Sequence, residues 1–265
     1  MGFKELSVSE LNKFINIPAD IKIYDSVEST NVVAKQYAET GAAEGNVIIA
    51  HSQTGGKGRL GRKFYSPKGT GIYFSIILRP KVKTEEISLI TPVAAVAVAN
   101  AFEEIAKKSP KIKWVNDIFV NGKKVCGILS EAAFGADGTA QYVILGIGIN
   151  LYAPENGFPE DIKSIAGALL EPNETIDINL LLSNIINNFF KLYKDLKSTD
   201  TVDAYRTRLL LKNQKVNYIK NGEPKSGTVL DIDEAFQLVI ETESGKTEHL
   251  QSGEVTVGSK EAAKK

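Results

Sequence analysis

The sequence predicts an α+β fold, with a mixed central sheet and flanking helices over residues 1–212, a small β-barrel over 213–258 and a disordered polar tail at 259–265. Three observations carry that prediction. Strand-like runs outnumber helical ones in the first 150 residues and are joined partly by hairpin turns, which favours mixed or antiparallel pairing. Residues 178–197 carry Leu181, Ile185, Phe189, Leu192 and Leu196 at helical spacing. From Asn213 onward, five short β-rich runs are punctuated by Asn221-Gly222 and Ser244-Gly245, the pattern of a small barrel.

Taken in order, residues 5–16 read as a short amphipathic helix with Ser7 or Ser9 as its cap. Residues 21–24 form a strand, and Ser29-Thr30-Asn31 opens a helix that ends near Gly41. These three polar residues suit an N-cap cluster as well as a ligand site. Strands follow at 46–50 and 71–78, then a buried helix over 87–108 that is interrupted or begun at Pro92. Residues 111–120 make a strand and turn carrying Lys113-Trp114-Val115-Asn116-Asp117, and Asn121-Gly122 turns the chain back into 124–131. A strand over 142–150 ends in Gly146, Gly148 and Asn150. Helices are expected at 164–170, 178–197 and 202–212, and barrel strands at 215–220, 227–232, 236–241, 246–251 and 255–257.

Composition narrows the function classes. The chain has 265 residues, 43% of them apolar, with 32 basic and 32 acidic side chains. Zero net charge argues against a surface built for DNA. The single cysteine, Cys126, forms no intramolecular disulfide, which suits a reducing, cytoplasmic compartment. Neither cysteine spacing nor a histidine pair suggests a metal cage. The apolar run at 87–102 is too short to span a membrane, and no membrane partner is expected.

Charge is nonetheless local. Residues 45–84 contain no Asp or Glu, where 32 acids in 265 residues would place about five. The same window holds Lys57, Arg59, Arg62, Lys63, Lys68, Arg79, Lys81 and Lys83. Inside it, Gly55, Gly56, Gly58 and Gly61 alternate with cations, so backbone and charge can approach a phosphate or carboxylate together. Gly56, Gly58 and Gly61 match the dinucleotide fingerprint formally, but no helix start and no acid at the required distance follow. Arg62-Lys63 stands where a Walker A loop needs Lys and then Ser or Thr. The kinase glycine loop fails for lack of its companion triplets.

Seven blocks, in order, resemble the biotin protein ligase family over residues 21–257. They are Ser29-Thr30-Asn31; the loop from Gln53 to Arg62; Ser66, Pro67, Gly69, Tyr73, Ser75 and Leu78-Arg79-Pro80; Lys113-Trp114-Val115-Asn116-Asp117; Lys124 with Gly127; Gly148 with Asn150; and Ser252-Gly253-Glu254-Val255. Lys57, Phe64 and Val115 depart from the family's usual Arg, Trp and Pro. The resemblance is to the type without an N-terminal helix-turn-helix domain. It implies a class II synthetase-like catalytic domain and an SH3-like barrel, with biotin and ATP as substrates, Mg2+ as cofactor and a biotin carboxyl carrier domain as partner. No DNA partner follows from it, and it leaves monomer and homodimer open.

The same resemblance assigns the site. Lys124, Arg59 and Asp117 are its catalytic residues. Ser29, Thr30, Asn31, Gln53, Lys57, Gly58, Arg59, Lys124 and Gly127 would bind biotin. Lys57, Arg59, Arg62, Asn116 and Asn150 would bind ATP, with Asn116 also near the magnesium. Core packing is expected for Trp114. Two alternatives stay open, a lipoate- or octanoate-type acyl-adenylating ligase and a nucleic-acid-binding regulatory module.

Overall fold

The computed structural model describes residues 5–220, 222–253 and 255–257. The expected tail at 259–265 lies outside the described residues. In chain order the elements are α1 (Val8–Phe14), β1 (Ile21–Tyr24), α2 (Thr30–Glu39), β2 (Val47–Ala50), β3 (Gly71–Leu78), α3 (Ile90–Glu104), β4 (Lys111–Lys113), β5 (Asp117–Val120), β6 (Lys123–Phe134), β7 (Ala140–Asn150), α4 (Ile178–Tyr193), α5 (Thr199–Arg206), β8 (Lys215–Lys220), β9 (Glu223–Ile232), β10 (Leu238–Thr242), β11 (Thr247–Leu250) and β12 (Val255–Val257).

The first seven strands form one sheet in the order β1-β2-β3-β7-β6-β5-β4. It is mixed, as read from the sequence: β1 and β2 pair in parallel and the other neighbours are antiparallel. Alternation along the strands divides its two faces. Ile72, Phe74, Ile76 and Leu78 of β3 and Val143, Leu145, Ile147 and Ile149 of β7 join the main core with α3 and α4. On the opposite face Ile77 and Ile144 pack under Ala34 and Ala38 of α2, and beyond α2 that face is left for the site. Pro92 falls in the first turn of α3, where a backbone N–H has no helical partner to lose. The helical stretch Thr84–Glu104 is apolar and long enough to cross a membrane, yet most of it is buried in this core.

The remaining strands form a five-stranded antiparallel sheet in the order β11-β10-β9-β8-β12. Where a barrel was expected, no pairing between the edge strands β11 and β12 occurs among the described residues.

Two helix expectations fail. Residues 164–170 are not helical. Instead Lys124 N–H donates to Ile165 O (2.8 Å) and Gly167 N–H to Lys124 O (2.9 Å), so the segment runs alongside β6. The close approach needs glycine, because a Cβ at Gly167 would lie 2.4 Å from Lys123 Cβ. The helix expected at 202–212 is α5, which begins earlier and stops at Arg206. Beyond it the chain bonds to the edge strand β4, with Ile112 N–H donating to Arg208 O (2.7 Å) and Leu210 N–H to Ile112 O (2.9 Å).

Candidate active site

At the entrance of α2, Ser29 holds the N-cap position, but its hydroxyl makes no capping bond. The first helical N–H, that of Thr30, donates instead to Gln53 Oε1 (2.8 Å). The side chains of the polar triplet are thereby released from capping. Ser75 of β3, fully buried, donates to Asn31 Oδ1 (2.6 Å) and lies 2.8 Å from Thr30 Oγ1. Gln53 Nε2 donates to Ser66 Oγ (2.9 Å). A connected cluster of directional donors and acceptors results, with Phe64, Ile128, Leu129 and Ile147 among the apolar residues that line the slot beside it.

Glycines make room for this lining. A Cβ at Gly146 would lie 2.1 Å from Asn31 Oδ1, and one at Gly148 would lie 2.5 Å from the Phe64 ring. Gly127, opposite Gly148 in the sheet, also faces Phe64. Phe64 therefore lies flat on a floor with no side chains and meets Tyr73 edge-on (6.3 Å between ring centroids).

The basic loop is a closed hairpin. Gly58 N–H donates to Arg62 O (2.7 Å) and Phe64 N–H to Gly56 O (2.8 Å), with a 3-10 turn, Arg59–Gly61, at its tip. Arg59 reaches back to Asn116 Oδ1 (3.0 Å) and to Gly253 O (3.4 Å) of the C-terminal segment. Not every cation of the acid-free window serves this site: Arg79 holds the carbonyls of Ala38 and Ala42 at the end of α2 (both 2.8 Å), and Lys68 pairs with Asp25.

Positive φ at Asn121 (50°) and Gly122 (74°) fits the tight turn between β5 and β6. It sends Lys124 and Lys123 to opposite sides. Lys124 Nζ sits 2.6 Å from Asp117 Oδ1 in a half-buried ion pair, and that oxygen accepts no aligned hydrogen bond. Lys123 Nζ donates to Ser164 O (2.8 Å) at the surface. Beside the pair, burial above all pushes the Tyr205 hydroxyl well above its ordinary range; the charge of Asp117 adds to the shift and Arg59 opposes it. Burial likewise raises the Cys126 thiol, which removes it as a nucleophile.

Two cavities contain all the sequence-assigned site residues. The first is a slot lined by Ser29, Thr30, Asn31, Gln53, Lys57 and Gly127 among others. The second is a chamber of about 300 Å³ that takes Arg62, Asp117 and Asn150, together with Gly253, Val255 and Thr256 from the C-terminal end. Gly58, Arg59, Phe64, Asn116 and Lys124 line both and mark the junction. Lys57, assigned to both substrates, faces only the slot. Trp114 is 4% exposed and packs in the core as expected, but it also borders the chamber and its indole N–H donates to Phe236 O (2.8 Å). Sequence reasoning missed Phe64 as a wall, Ser75 as a hydrogen-bond hub and Glu131, which bonds Asn31. The period-2 alternation of β3 and β6 was the signal available for the last two.

Comparison with known proteins identifies the family. Residues 23–150 match the model of the biotin/lipoate A/B protein ligase family, and residues 213–258 match the biotin protein ligase C terminal domain. The bifunctional ligase/repressor BirA of Bacillus subtilis is 34% identical over 242 residues, 89% of this chain and 73% of the relative. The biotin--[acetyl-CoA-carboxylase] ligase of Mycobacterium tuberculosis is 27% identical over 234 residues, 86% of this chain and 85% of the relative. Among solved structures, the biotin protein ligase from Aquifex aeolicus in complex with biotin and ATP superposes with a TM-score of 0.73 at 28% identity, covering 90% of this chain and 98% of that one. The chain belongs to the biotin/lipoate A/B protein ligase family. Within it, the second domain match and these relatives make it a biotin protein ligase.

Proposed function

We infer that the protein is an ATP-dependent ligase that forms biotinyl-5′-AMP from biotin and ATP and transfers the biotinyl group to a lysine of a biotin carboxyl carrier protein. The observation that carries this reading is the junction, where a polar-headed slot and a larger chamber meet at Arg59, Asn116 and Lys124. An acid lying in the slot brings its carboxylate to the point where a nucleotide in the chamber brings its α-phosphate. In the first half-reaction a carboxylate oxygen bonds to the α-phosphorus and pyrophosphate leaves. Two anions must meet, so cations have to neutralise both. Lys57, Arg59 and Lys124 stand in position for the carboxylate and α-phosphate, and Arg62 for the leaving pyrophosphate. In the second, the carrier lysine attacks the acyl carbon, AMP leaves, and Asp117 orients the incoming amine.

Among the described residues, protein side chains build no site of their own for the cofactor Mg2+. Among the described residues no three His, Cys, Asp or Glu side chains converge, and Asn116 Oδ1 already accepts from Arg59. In our reading the ion arrives on the triphosphate, as is usual where substrate phosphates supply its ligands. Zero net charge and the buried Cys126 support a cytoplasmic enzyme without a DNA partner.

A lipoate-type acid is the rival substrate. The Asn31, Ser75, Thr30 and Gln53 network favours biotin, because a ureido ring needs both donors and acceptors whereas a dithiolane needs only an apolar slot. Thermal shift separates them: at a hundredfold excess over its Kd a true ligand stabilises by about 2.7 kcal/mol. Biotin should raise Tm and lipoate or octanoate should not. The reverse order would overturn the substrate assignment.

A further inference from the structure

The ligand-facing side of β6 extends past the slot. Gly127, Leu129 and Glu131 share one face by alternation, and the first two line the slot. Glu131 pairs with Ile144 of β7, one step of the alternation beyond the rung that joins Ser75, Gly146 and Leu129. Its carboxylate therefore arrives beside the first turn of α2. There Oε2 accepts from Asn31 Nδ2 (2.6 Å), and Oε1 lies 4.0 Å from Lys57 Nζ of the basic loop.

The two ends of a carboxamide are nearly the same shape, so only its partners decide which way it points. Ser75 cannot decide this for Asn31, because a hydroxyl both donates and accepts. An ionised carboxylate only accepts. Glu131 thus turns the Asn31 amide nitrogen toward itself and the oxygen toward Ser75, committing the single Ser75 proton to Asn31.

We propose that Glu131 is a positioning residue for recognition of the acid's polar head: it sets the donor and acceptor polarity of Asn31 and Ser75. This rests on the biotin ligase reading above. It assigns Glu131 no contact with either substrate, so its effect falls on acid binding alone.

Biotin-dependent ATP:pyrophosphate exchange tests it. In Glu131→Ala, KM for biotin should rise about tenfold or more, as for loss of a charge-assisted hydrogen bond, with kcat and KM for ATP within about twofold. Glu131→Gln, whose amide can accept from Asn31 but can equally turn and donate, should recover the affinity only in part. Asn31→Asp sets two carboxylates against each other and should bind biotin poorly. Adding Glu131→Gln to it should restore binding, because the glutamine NH2 then donates to the aspartate. No exchange by the wild type would overturn the ligase reading and this inference with it. Wild-type exchange with an unchanged KM for biotin in Glu131→Ala would overturn the role of Glu131 alone. So would a parallel rise of both KM values without recovery in the double variant.

Discussion

Lys123 and Lys124 differ by one position and point to opposite sides of β6, one to a surface carbonyl and the other to Asp117 at the junction. Lys124→Ala should lower the adenylation rate by about a hundred- to a thousandfold, or roughly 2.7 to 4 kcal/mol, the usual cost of removing a charge stabiliser. Lys123→Ala should stay near wild type; equal losses would mean the turn does not separate the two roles. Arg59 spans both cavities, so Arg59→Gly should speed release of the bound adenylate by roughly ten- to a hundredfold, measured as its off-rate. The turn and the alternation made it legible that only one of the two lysines can face the site, and the family spacing to Gly127 selected Lys124; alternation alone could not, because the β5–β6 register shifts between Lys124 and Cys126. Glu131 and Ser75 were legible only as to face: alternation along β3 and β6 gives the side on which each lies, but their meeting with α2 depends on the pairing of β3, β7 and β6, which no local pattern encodes.

Elements followed the sequence where a periodic apolar face was long enough to decide them. The α4 helix and β3 appear close to where they were read, β3 at the same residues. The 164–170 segment misled because its small and apolar residues suit a helix, while its backbone is better satisfied beside Lys124. One function of α4 was invisible in sequence: Asn179, fully buried, accepts from Ser7 N–H (3.0 Å) and donates to Glu5 O (3.1 Å), holding the N-terminal segment. Asn179→Leu strands both backbone groups and should cost about 1 to 3 kcal/mol, read from the urea midpoint. In the C-terminal sheet, hydrogen bonds from Lys225 and then Lys220 hold Glu248 below the usual carboxylate range. The folded chain thus binds that proton more weakly than the unfolded chain. Its stabilisation is complete above the unfolded pKa of about 4.3 and is lost as pH falls through the lower folded value. Glu248→Gln should flatten this part of the acid limb of a stability curve; an unaltered limb would show that the cluster contributes nothing.

At the scale of the molecule, the 212/213 boundary separates two sheets but does not divide the core. Apolar contacts run from α3 and α4 through Tyr205 and Leu211 to Phe236 and Ile240, and the Trp114 indole donates across to Phe236 O. Trp114→Phe leaves that carbonyl unpaired and should cost about 1 to 3 kcal/mol in unfolding free energy. We propose that the C-terminal sheet works as a wall of the nucleotide chamber, since Gly253, Val255 and Thr256 line it; Trp114→Phe should then also raise KM for ATP, and an unchanged KM would separate stability from function. The division of labour between slot, chamber and junction is the central claim. Its most direct test is ATP:pyrophosphate exchange by the purified full chain with biotin, lipoate or octanoate as the acid. Biotin-dependent exchange that is lost in Lys124→Ala and kept in Lys123→Ala is the predicted result; exchange driven by lipoate or octanoate but not by biotin would contradict it.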